Sequence, residues 1–261
     1  MTRLVDSHCH LTLMEDVVVA EVLDTARQEG VEKFLCVSID LEGMNEIIAL
    51  SQQHPDVYAS AGVHPTEQPG VMVLADDLRT YAQQPEVIAV GETGLDYYRL
   101  ELSNEAGIRE KTVQQERFRM HIRMAIEVGK PLIIHCREAS EDVLKILREE
   151  QAEQIGGVMH CFVEDWQAAE QFMALNFMIS LSGIVTFKNA KVVHDVAKRV
   201  PLQNLLIETD SPWLAPVPFR GKKNQPAYVG YVAQFIADLR GIETDEVMTS
   251  TTENFCRLFA L

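Results

Sequence analysis

Six side chains of the kinds that bind divalent metals stand at the ends of five apolar segments. The segments are VDSHCH (5 to 10), VGETGLD (90 to 96), IIHC (133 to 136), VMHC (158 to 161) and LLIETDSP (205 to 212). They supply four imidazoles and two carboxylates: His8, His10, Glu92, His135, His160 and Asp210. Imidazole nitrogen and carboxylate oxygen are ligands for zinc, manganese and related ions. Brought together, they suffice for two divalent ions that share a bridging carboxylate and a bridging water.

The first two imidazoles, His8 and His10, stand two positions apart in a strand-like segment. Side chains alternate between the two faces of a strand, so both rings point to one side and can grip a single ion. A pair of core histidines held by hydrogen bonds is the alternative. Two adjacent buried imidazoles would lack obvious partners without a metal, so the spacing favours metal binding.

Glu208 precedes Asp210 by two positions and shares its strand face. We predict that Glu208 lies deeper and orients a histidine ring without binding the ion itself, since metal-bound histidines usually give their second nitrogen to such a partner. A structural ion pair is the alternative for this side chain.

The elements that would position these residues alternate along the chain in the pattern of a (β/α)₈ barrel. Strand-like runs cover 4 to 8, 33 to 39, 57 to 63, 87 to 92, 131 to 136, 156 to 162, 177 to 183 and 205 to 209. Helical periodicity covers 15 to 29, 42 to 53, 74 to 83, 111 to 129, 139 to 150, 165 to 175, 190 to 199, 227 to 239 and 244 to 258. We therefore predict an α/β fold, a single (β/α)₈ TIM barrel domain over residues 1 to 261. The irregular stretches 93 to 110 and 210 to 226 would be loops of its functional, C-terminal face.

Composition restricts the partners and the compartment. The 261 residues carry a formal charge of −16, which repels phosphate polymers at long range, so any contact with nucleic acid should be weak and local. No apolar run approaches the roughly 20 residues of a membrane span, and MTRLVDSHCH does not resemble a signal peptide. The five cysteines form no C-x-x-C pair, which fits a reducing compartment. We predict a cytoplasmic protein without membrane contact, and nothing indicates an obligate protein partner.

Three of the cysteines directly follow histidines of the proposed site. Alternation along a strand should turn the thiols of Cys9, Cys136 and Cys161 away from the metal side and under the outer helices. Three further histidines lie in helical or flanking regions without a motif, and we predict that they are solvated surface residues: His54, His121 and His194.

Several other residues are candidates for substrate contacts. His64 ends the third strand and should face the pocket, unless the Pro65 turn simply holds it. Arg137 shares a face with His135 and can hold a phosphate oxygen or pair with a carboxylate near the ions. The loop FRGKKNQP (219 to 226) adds the cations Arg220, Lys222 and Lys223 to an acidic chain. Tyr97 and Tyr98 can stack on bases or sugars, or pack their loop down.

Nine ordered motifs give the chain a resemblance to a known family. They are DSHCHL, GVHP, GETGLDYY, QQERF, KPLIIHCREA, HCF, SGIVTFKNA, ETDSPWLAP and RGKKNQP, and they extend over nearly the whole sequence. In these motifs the chain resembles the TatD family of metal-dependent deoxyribonucleases, which are amidohydrolase-like (β/α)₈ barrels, and within it the bacterial YcfH-type members.

The resemblance implies a division of the site between two divalent ions. It implies that His8, His10 and Asp210 bind one ion, that His135 and His160 bind the other, and that Glu92 bridges them. It further implies phosphodiester hydrolysis by a 3′-5′ exonuclease that prefers single-stranded DNA. The ions would lower the pKa of a bound water, so that hydroxide could attack phosphorus. Asp210 and Glu92 would be the catalytic carboxylates. The imidazoles favour Zn²⁺ or Mn²⁺, and phosphoryl chemistry allows Mg²⁺.

Two other functions remain open on the sequence alone. The same activated water serves hydrolysis of another ester or of an amide, for example the deacylation of D-aminoacyl-tRNA, and the acidic charge fits a small substrate at least as well as a polymer. A non-catalytic protein that binds metal and presents its surface to a partner is the third possibility. Open coordination positions and the lack of thiolate ligands argue against that third one.

Overall fold

Eight parallel strands form the frame of the described chain, residues 4–261 of a computed structural model. Each strand pairs with the next one along the sequence, as expected when every crossover contains a helix. The strands are β1 (Leu4–Cys9), β2 (Val31–Cys36), β3 (Val57–Ala61), β4 (Val87–Asp96), β5 (Leu132–Arg137), β6 (Gly157–Met159), β7 (Phe177–Leu181) and β8 (Leu205–Ile207). The (β/α)₈ prediction is confirmed.

Amphipathic helices cover the outside of the strands. They are α1 (Val19–Gln28), α2 (Met44–Gln53), α3 (Ala75–Ala82), α4 (Glu105–Val128), α5 (Ser140–Glu149), α6 (Trp166–Ala174), α7 (Lys191–Arg199), α8 (Val229–Arg240) and α9 (Thr244–Phe259). Among residues 4–261, none of the helices is both long and apolar enough to cross a bilayer.

The first and last strands meet at a seam that nearly closes the barrel. The Asp210 N–H donates to the His8 carbonyl over 2.9 Å, and the His10 N–H donates to the Ser211 carbonyl over 2.8 Å. Cys9 and Ser211 form the parallel bridge between these bonds. The seam therefore brings the metal-type residues of β1 beside the segment that follows β8, about 200 positions later in the chain.

The barrel interior changes from apolar to polar along the strands. Val5, Ala89, Ile133, Val158 and Leu206 belong to one inner cluster, and α9 adds Phe255 and Phe259 to it. The polar residues come two or three positions later on the same strands or just beyond them: His8, Glu92, His135, His160 and Glu208. The apolar layer therefore supports a polar layer at the carboxyl ends of the strands, where barrel enzymes bind substrate.

Several element boundaries differ from the sequence prediction, and those of β4 and α4 differ beside the site. β4 continues past Glu92 to Asp96 and pairs with β5 over Thr93 to Asp96, whereas a loop was expected from residue 93. α4 begins at Glu105, where the Asn104 side chain accepts from the Gly107 N–H over 2.9 Å, so six residues of the expected loop are helix. An N-terminal cap of this kind is local chemistry that the apolar periodicity does not report.

The prediction that His121 is a surface residue is wrong. His121 is fully buried on α4. Its Nδ1 donates to the Arg117 carbonyl over 2.8 Å, and its Nε2 accepts from the Val63 N–H over 3.1 Å. His54 and His194 are partly buried as well, and His194 Nε2 donates to the Val185 carbonyl over 2.8 Å. His121 thus fixes the backbone next to His64.

This arrangement predicts an acid-sensitive contribution to stability. Burial lowers the pKa of His121 to about 4, below its value of about 6.5 in an unfolded chain. The unfolded state therefore binds a proton first, and this group costs the fold stability as the pH falls from 6.5 to 4, up to roughly 3 kcal/mol. Denaturant titrations at pH 7 and pH 4.5 should show a smaller acid-induced loss in His121→Gln than in the wild type. An equal loss in both would contradict this assignment.

Candidate metal centre

Glu92 lies at the centre of the site, and its two oxygens face different sets of imidazoles. Oε2 is 3.4 Å from His8 Nε2 and 3.8 Å from His10 Nε2. Oε1 is 2.9 Å from His160 Nε2 and 3.1 Å from His135 Nδ1. One carboxylate therefore reaches two groups of nitrogen atoms, which is the geometry of a bridging ligand.

The position of the Glu92 carboxylate depends on a glycine, Gly91, that lies very close to β5. Gly91 precedes Glu92 and has a φ of +154°, and a Cβ on it would stand 2.6 Å from the Ile133 carbonyl oxygen. A side chain at position 91 would push β4 away from β5. Glycine at this position therefore lets Glu92 stand directly opposite the imidazoles.

The seam residues form the first group of ligand-type atoms. His8 Nε2 and His10 Nε2 are 3.0 Å apart, and Asp210 Oδ1 is 3.4 Å from His10 Nε2 and 3.8 Å from His8 Nε2. Ligands about 2.0–2.2 Å from a shared zinc ion are separated by roughly 3 to 3.5 Å. These side chains and Glu92 therefore fit one divalent ion.

The second group lies on the other side of Glu92. His135 and His160 approach Oε1, and His64 Nε2 is 3.5 Å from the same oxygen. His64 Nδ1 accepts from the Thr66 N–H over 3.2 Å, so the proton of the neutral His64 ring stands on Nε2. A ring in this tautomer donates a hydrogen bond from Nε2, and the contact of His64 with substrate stays a prediction.

Burial and mutual proximity control the protonation of the site. Burial by itself would raise the pKa of Glu92, but the neighbouring imidazoles, led by His160 and His64, hold it well below its usual range. Burial disfavours a charged His160, yet Glu92 and Glu208 raise its pKa well above the ordinary value. Burial, followed by His160, lowers the pKa of His8, whose buried Nδ1 has no hydrogen-bond partner among residues 4–261. The carboxylates thus favour a protonated His160, whose proton a metal cation would replace on binding.

Glu208 supports the second group from below. It is fully buried, and its Oε1 is 3.0 Å from His160 Nδ1 and accepts from the Cys161 N–H over 2.7 Å. Ser180 Oγ donates to the other oxygen over 2.6 Å. The carboxylate thereby leaves His160 Nε2 facing Glu92.

Replacing Glu208 with glutamine should weaken metal binding without removing a ligand. The amide keeps the size of the side chain but loses the charge that stabilises the His160 ring, and such partners are worth about 10- to 100-fold in metal affinity or activity. Metal titration should detect this change. Ser180→Ala removes only a neutral hydrogen bond to the same carboxylate, so it should cost much less; equal metal affinities in Glu208→Gln and the wild type would contradict the assignment.

Sequence reasoning missed Asp96, which lies at the end of β4. Its Oδ2 is 3.2 Å from His135 Nε2, and its Oδ1 accepts from the Tyr98 N–H over 3.0 Å. The sequence predicts a loop at Asp96, because the apolar run of β4 ends at Glu92. The register Gly94 opposite His135 and Asp96 opposite Arg137 places it here, and only the alternation from Glu92 to Asp96 could have signalled it.

A second carboxylate that the sequence reasoning did not single out stands behind the seam. Asp6 is fully buried, and it accepts from the Thr209 N–H over 2.8 Å and from the Thr209 hydroxyl over 2.5 Å. Burial raises the pKa of Asp6 to about 8. These bonds tie β1 to the segment after β8 and so hold His8 near Asp210.

The site opens into a cavity of about 610 Å³. Five of the six metal-type residues line it, namely His10, Glu92, His135, His160 and Asp210, and His8 lies beneath them. His64 and Arg137 also line the cavity. Arg220 and Lys222 do not: the Arg220 guanidinium lies 4.1 Å from the Phe187 ring centre, and Lys222 Nζ lies 5.9 Å from that of Phe219.

The two tyrosines of GLDYYR have different environments. Tyr97 is buried, and its hydroxyl donates to Asp142 over 3.0 Å, so it packs the loop down. Tyr98 is exposed at the cavity mouth, and the Arg137 guanidinium stacks 3.8 Å from its ring centre. Within residues 4–261, no carboxylate pairs with Arg137 at salt-bridge distance. A contact of Arg137 with an anionic substrate stays a prediction.

The cysteine prediction is confirmed for Cys9 and wrong for Cys161, while Cys136 packs against the outer apolar cluster and also borders the cavity. Cys9 packs into the outer apolar cluster, and its thiol donates to the Leu35 carbonyl over 3.4 Å. Cys161 lies beyond β6, which ends at Met159, and has a φ of +44°. Its thiol is 3.2 Å from the Ser182 hydroxyl and lines the cavity together with Cys136. Alternation failed because the strand ends before the residue.

Known proteins are similar to this chain over nearly its whole length. Residues 5–260 match the family described as TatD related DNase. The uncharacterized metal-dependent hydrolase YcfH of Escherichia coli (strain K12) is 47% identical over 262 residues, covering 98% of this chain and 95% of that protein. The 3′-5′ ssDNA/RNA exonuclease TatD of Erwinia tasmaniensis is 31% identical over 250 residues, covering 92% of this chain and 93% of that protein.

A solved structure agrees with the fold and with these relatives. The crystal structure of YJJV, a TatD homologue from Escherichia coli K12, superimposes with a TM-score of 0.90 at 28% identity, covering 100% of this chain and 99% of that one. The resemblance inferred from the motifs is thereby confirmed. The chain belongs to the TatD family of metal-dependent hydrolases.

Proposed function

We propose that this hydrolase cleaves phosphodiester bonds at the 3′ end of single-stranded DNA with the help of two divalent ions. One observation carries the proposal: the oxygens of Glu92 face two separate imidazole groups at 2.9 to 3.8 Å. The Erwinia tasmaniensis relative, named a 3′-5′ ssDNA/RNA exonuclease, supports the choice of bond and direction. We also propose that the protein acts in the cytosol, because free cysteines fit a reducing compartment.

The chain's own residues supply ligands, orientation and a proton acceptor. His8, His10 and Asp210 would hold one ion, His135 and His160 the other, and Glu92 both. Zn²⁺ or Mn²⁺ suits the imidazoles, and Mg²⁺ remains possible. Bound ions would supply Lewis acidity and a water of lowered pKa. In this proposal Glu208 orients His160 and does not bind metal.

Asp210 would accept the proton of the attacking water. Burial alone would raise the pKa of Asp210, but the hydrogen bond from His10 and the nearby imidazoles hold it below its usual range. The group is thus a carboxylate at neutral pH and faces the cavity. A proton acceptor within the cavity assists attack on phosphorus.

The substrate phosphate would lie between Arg137 and His64. Arg137 offers a fork of N–H donors at the cavity mouth. Burial lowers the pKa of His64 to about 3, so its ring is neutral and its Nε2–H can donate to a phosphate oxygen. Arg220 and Lys222 lie off the cavity wall, and they would act only through the local potential that they add near its mouth.

A small ester or amide is the second candidate substrate, because the cavity offers apolar as well as polar walls. Leu13, Ile39, Val163, Ile184 and Leu214 line it, and the −16 charge does not attract polymers. The same proton acceptor and ligands would serve such a bond.

One assay separates the two candidates. Purified protein loaded with Zn²⁺, Mn²⁺ or Mg²⁺ is incubated in parallel with single-stranded DNA, D-aminoacyl-tRNA and simple carboxylic esters. We expect stepwise shortening of a 5′-labelled strand with release of mononucleotides, lost on chelation and restored by metal. Turnover of the tRNA or the esters without any cleavage of DNA would overturn the proposal in favour of the second candidate.

A further inference from the structure

Trp213 stands between two cavities at the carboxyl end of the barrel. One is the cavity of the metal centre, and the other has a volume of about 540 Å³ and is walled by residues 12–15, Pro212, Trp213 and Lys223. Leu13 also borders both. The Trp213 side chain is 49% exposed, so one face of a large aromatic ring is open to a ligand.

The backbone of Trp213 is held from both sides. Its N–H donates to the Asp210 carbonyl over 3.0 Å, and its carbonyl accepts from Asn224 Nδ2 over 2.6 Å. Asn224 is fully buried and also donates to the Thr209 carbonyl over 2.7 Å. The exposed ring therefore stands on a fixed backbone, and a ligand that stacks on it need not order the loop first.

The ring lies next to the reacting groups. The ring centres of Trp213 and His10 are 5.1 Å apart at an interplanar angle of 61°. A substrate unit whose reacting bond lies at His10 and Asp210 would have its neighbouring unit within reach of the Trp213 face. The second cavity is then the continuation of the substrate path.

A cation stands at the far wall of the second cavity. Lys223 Nζ donates to the Glu15 carbonyl over 2.7 Å and lies 3.6 Å from Asp16 Oδ2. The Lys223 and Asp16 side chains are 56% and 92% exposed, and exposed ion pairs of this kind contribute little. A phosphate can therefore compete for this ammonium group.

We propose that the second cavity binds the nucleotide next to the terminal one, with its base stacked on Trp213 and its phosphate near Lys223. The inference rests on the proposed function, since it requires a single-stranded nucleic acid as the substrate. Bases of any sequence stack on aromatic side chains. The main cavity then holds the terminal nucleotide, and the strand continues past Trp213.

The same geometry assigns the phosphate contact to Lys223 and not to its neighbour. Lys222 lies above the Phe219 ring and borders neither cavity. The two lysines carry the same charge in the same loop and therefore form a matched pair. If Lys223 contacts the phosphate, replacing Lys223 weakens binding more than replacing Lys222 does. If only the general electrostatic potential matters, the two replacements weaken binding equally.

Fluorescence of Trp213 tests the stacking directly. The chain has two tryptophans, and Trp166→Phe leaves Trp213 as the reporter. The metal-loaded variant is titrated with thymidine 5′-monophosphate and with a trithymidylate whose phosphorodithioate linkages resist hydrolysis. We expect strong quenching by the trinucleotide, with a dissociation constant about 5- to 100-fold below that of the mononucleotide, the range of one stacked base.

Calorimetric titration with the same two ligands distinguishes a loss of stacking from a general change in the structure of the protein. Trp213→Ala should weaken trinucleotide binding about fivefold or more beyond its effect on mononucleotide binding, and Trp213→Phe should restore most of the loss. Lys223→Ala should weaken trinucleotide binding at least threefold more than Lys222→Ala. Equal losses for both ligands, or equal effects of the two lysine variants, would overturn this site.

The outcomes distinguish this inference from the proposed function. Cleavage of single-stranded DNA without quenching of Trp213 by the bound trinucleotide would overturn the second-cavity site and leave the proposed function standing. Failure of the wild-type protein both to bind the trinucleotide and to cleave DNA would overturn both.

Discussion

Glu92→Gln should nearly abolish hydrolysis and reduce the number of ions bound per chain. The glutamine amide has one oxygen, so it can face only one of the two imidazole groups, and its NH₂ group opposes a cation on the other side. The loss of several kcal/mol of charge stabilisation corresponds to a fall in kcat/KM of about 10³-fold or more. Elemental analysis of the purified variant and a phosphodiesterase assay measure the two effects.

Glu253→Gln is the matched control for this variant. Glu253 is exposed on α9, so the substitution removes the same charge far from the centre and should change neither metal content nor rate. Thermal unfolding of both variants shows that the chain remains folded. Full metal occupancy together with wild-type turnover in Glu92→Gln would rule out a bridging role.

Asp210→Asn should reduce kcat much more than it raises KM. The asparagine oxygen can still face His10, whose Nε2 lies 3.4 Å from Asp210 Oδ1, but the amide cannot accept a proton. Removal of a general base costs about 10²- to 10⁴-fold in rate. Steady-state kinetics at saturating metal, on the substrate that the wild type turns over, measure the split between kcat and KM.

The pH dependence of activity is a second test of the role of Asp210. The wild-type carboxylate has a pKa below its usual range, so its protonation should not limit wild-type activity before the imidazoles, led by His160, take up protons and release metal as the pH falls. Asp77→Asn, an exposed substitution on α3, should leave this profile as it is. A rise in KM with unchanged kcat in Asp210→Asn would show that the residue holds substrate and accepts no proton.

The order of elements could be read from the sequence because periodicity is local. Alternating apolar strands and amphipathic helices predicted the eight-stranded barrel, and the barrel is confirmed. Their boundaries were less predictable: β8 has three residues, β4 has ten, and α4 starts at Glu105. Strand length depends on pairing with neighbours, and pairing such as that of Asp96 with Arg137 leaves no local mark.

The set of side chains at the site was also visible in the sequence. His8, His10, Glu92, His135, His160 and Asp210 stand together in the structure, and their roles as ligands stay predictions. Asp96 and His121 were misplaced for a shared reason. Asp96 lies in the part of β4 that extends past the predicted end of the strand, and His121 lies on a helix whose buried face includes a polar contact to Val63.

The amino-acid sequence on its own determined the ligand types, the barrel order and the family, because chemistry and periodicity are properties of short segments. The tertiary structure determined how those segments meet. The seam between β1 and the end of β8 gathers His8 and Asp210, the orientation of Glu92 divides its oxygens between two imidazole groups, and Trp213 separates two cavities. Each of these features results from contacts between residues far apart in the chain, whose geometry depends on barrel closure and has no counterpart in local sequence.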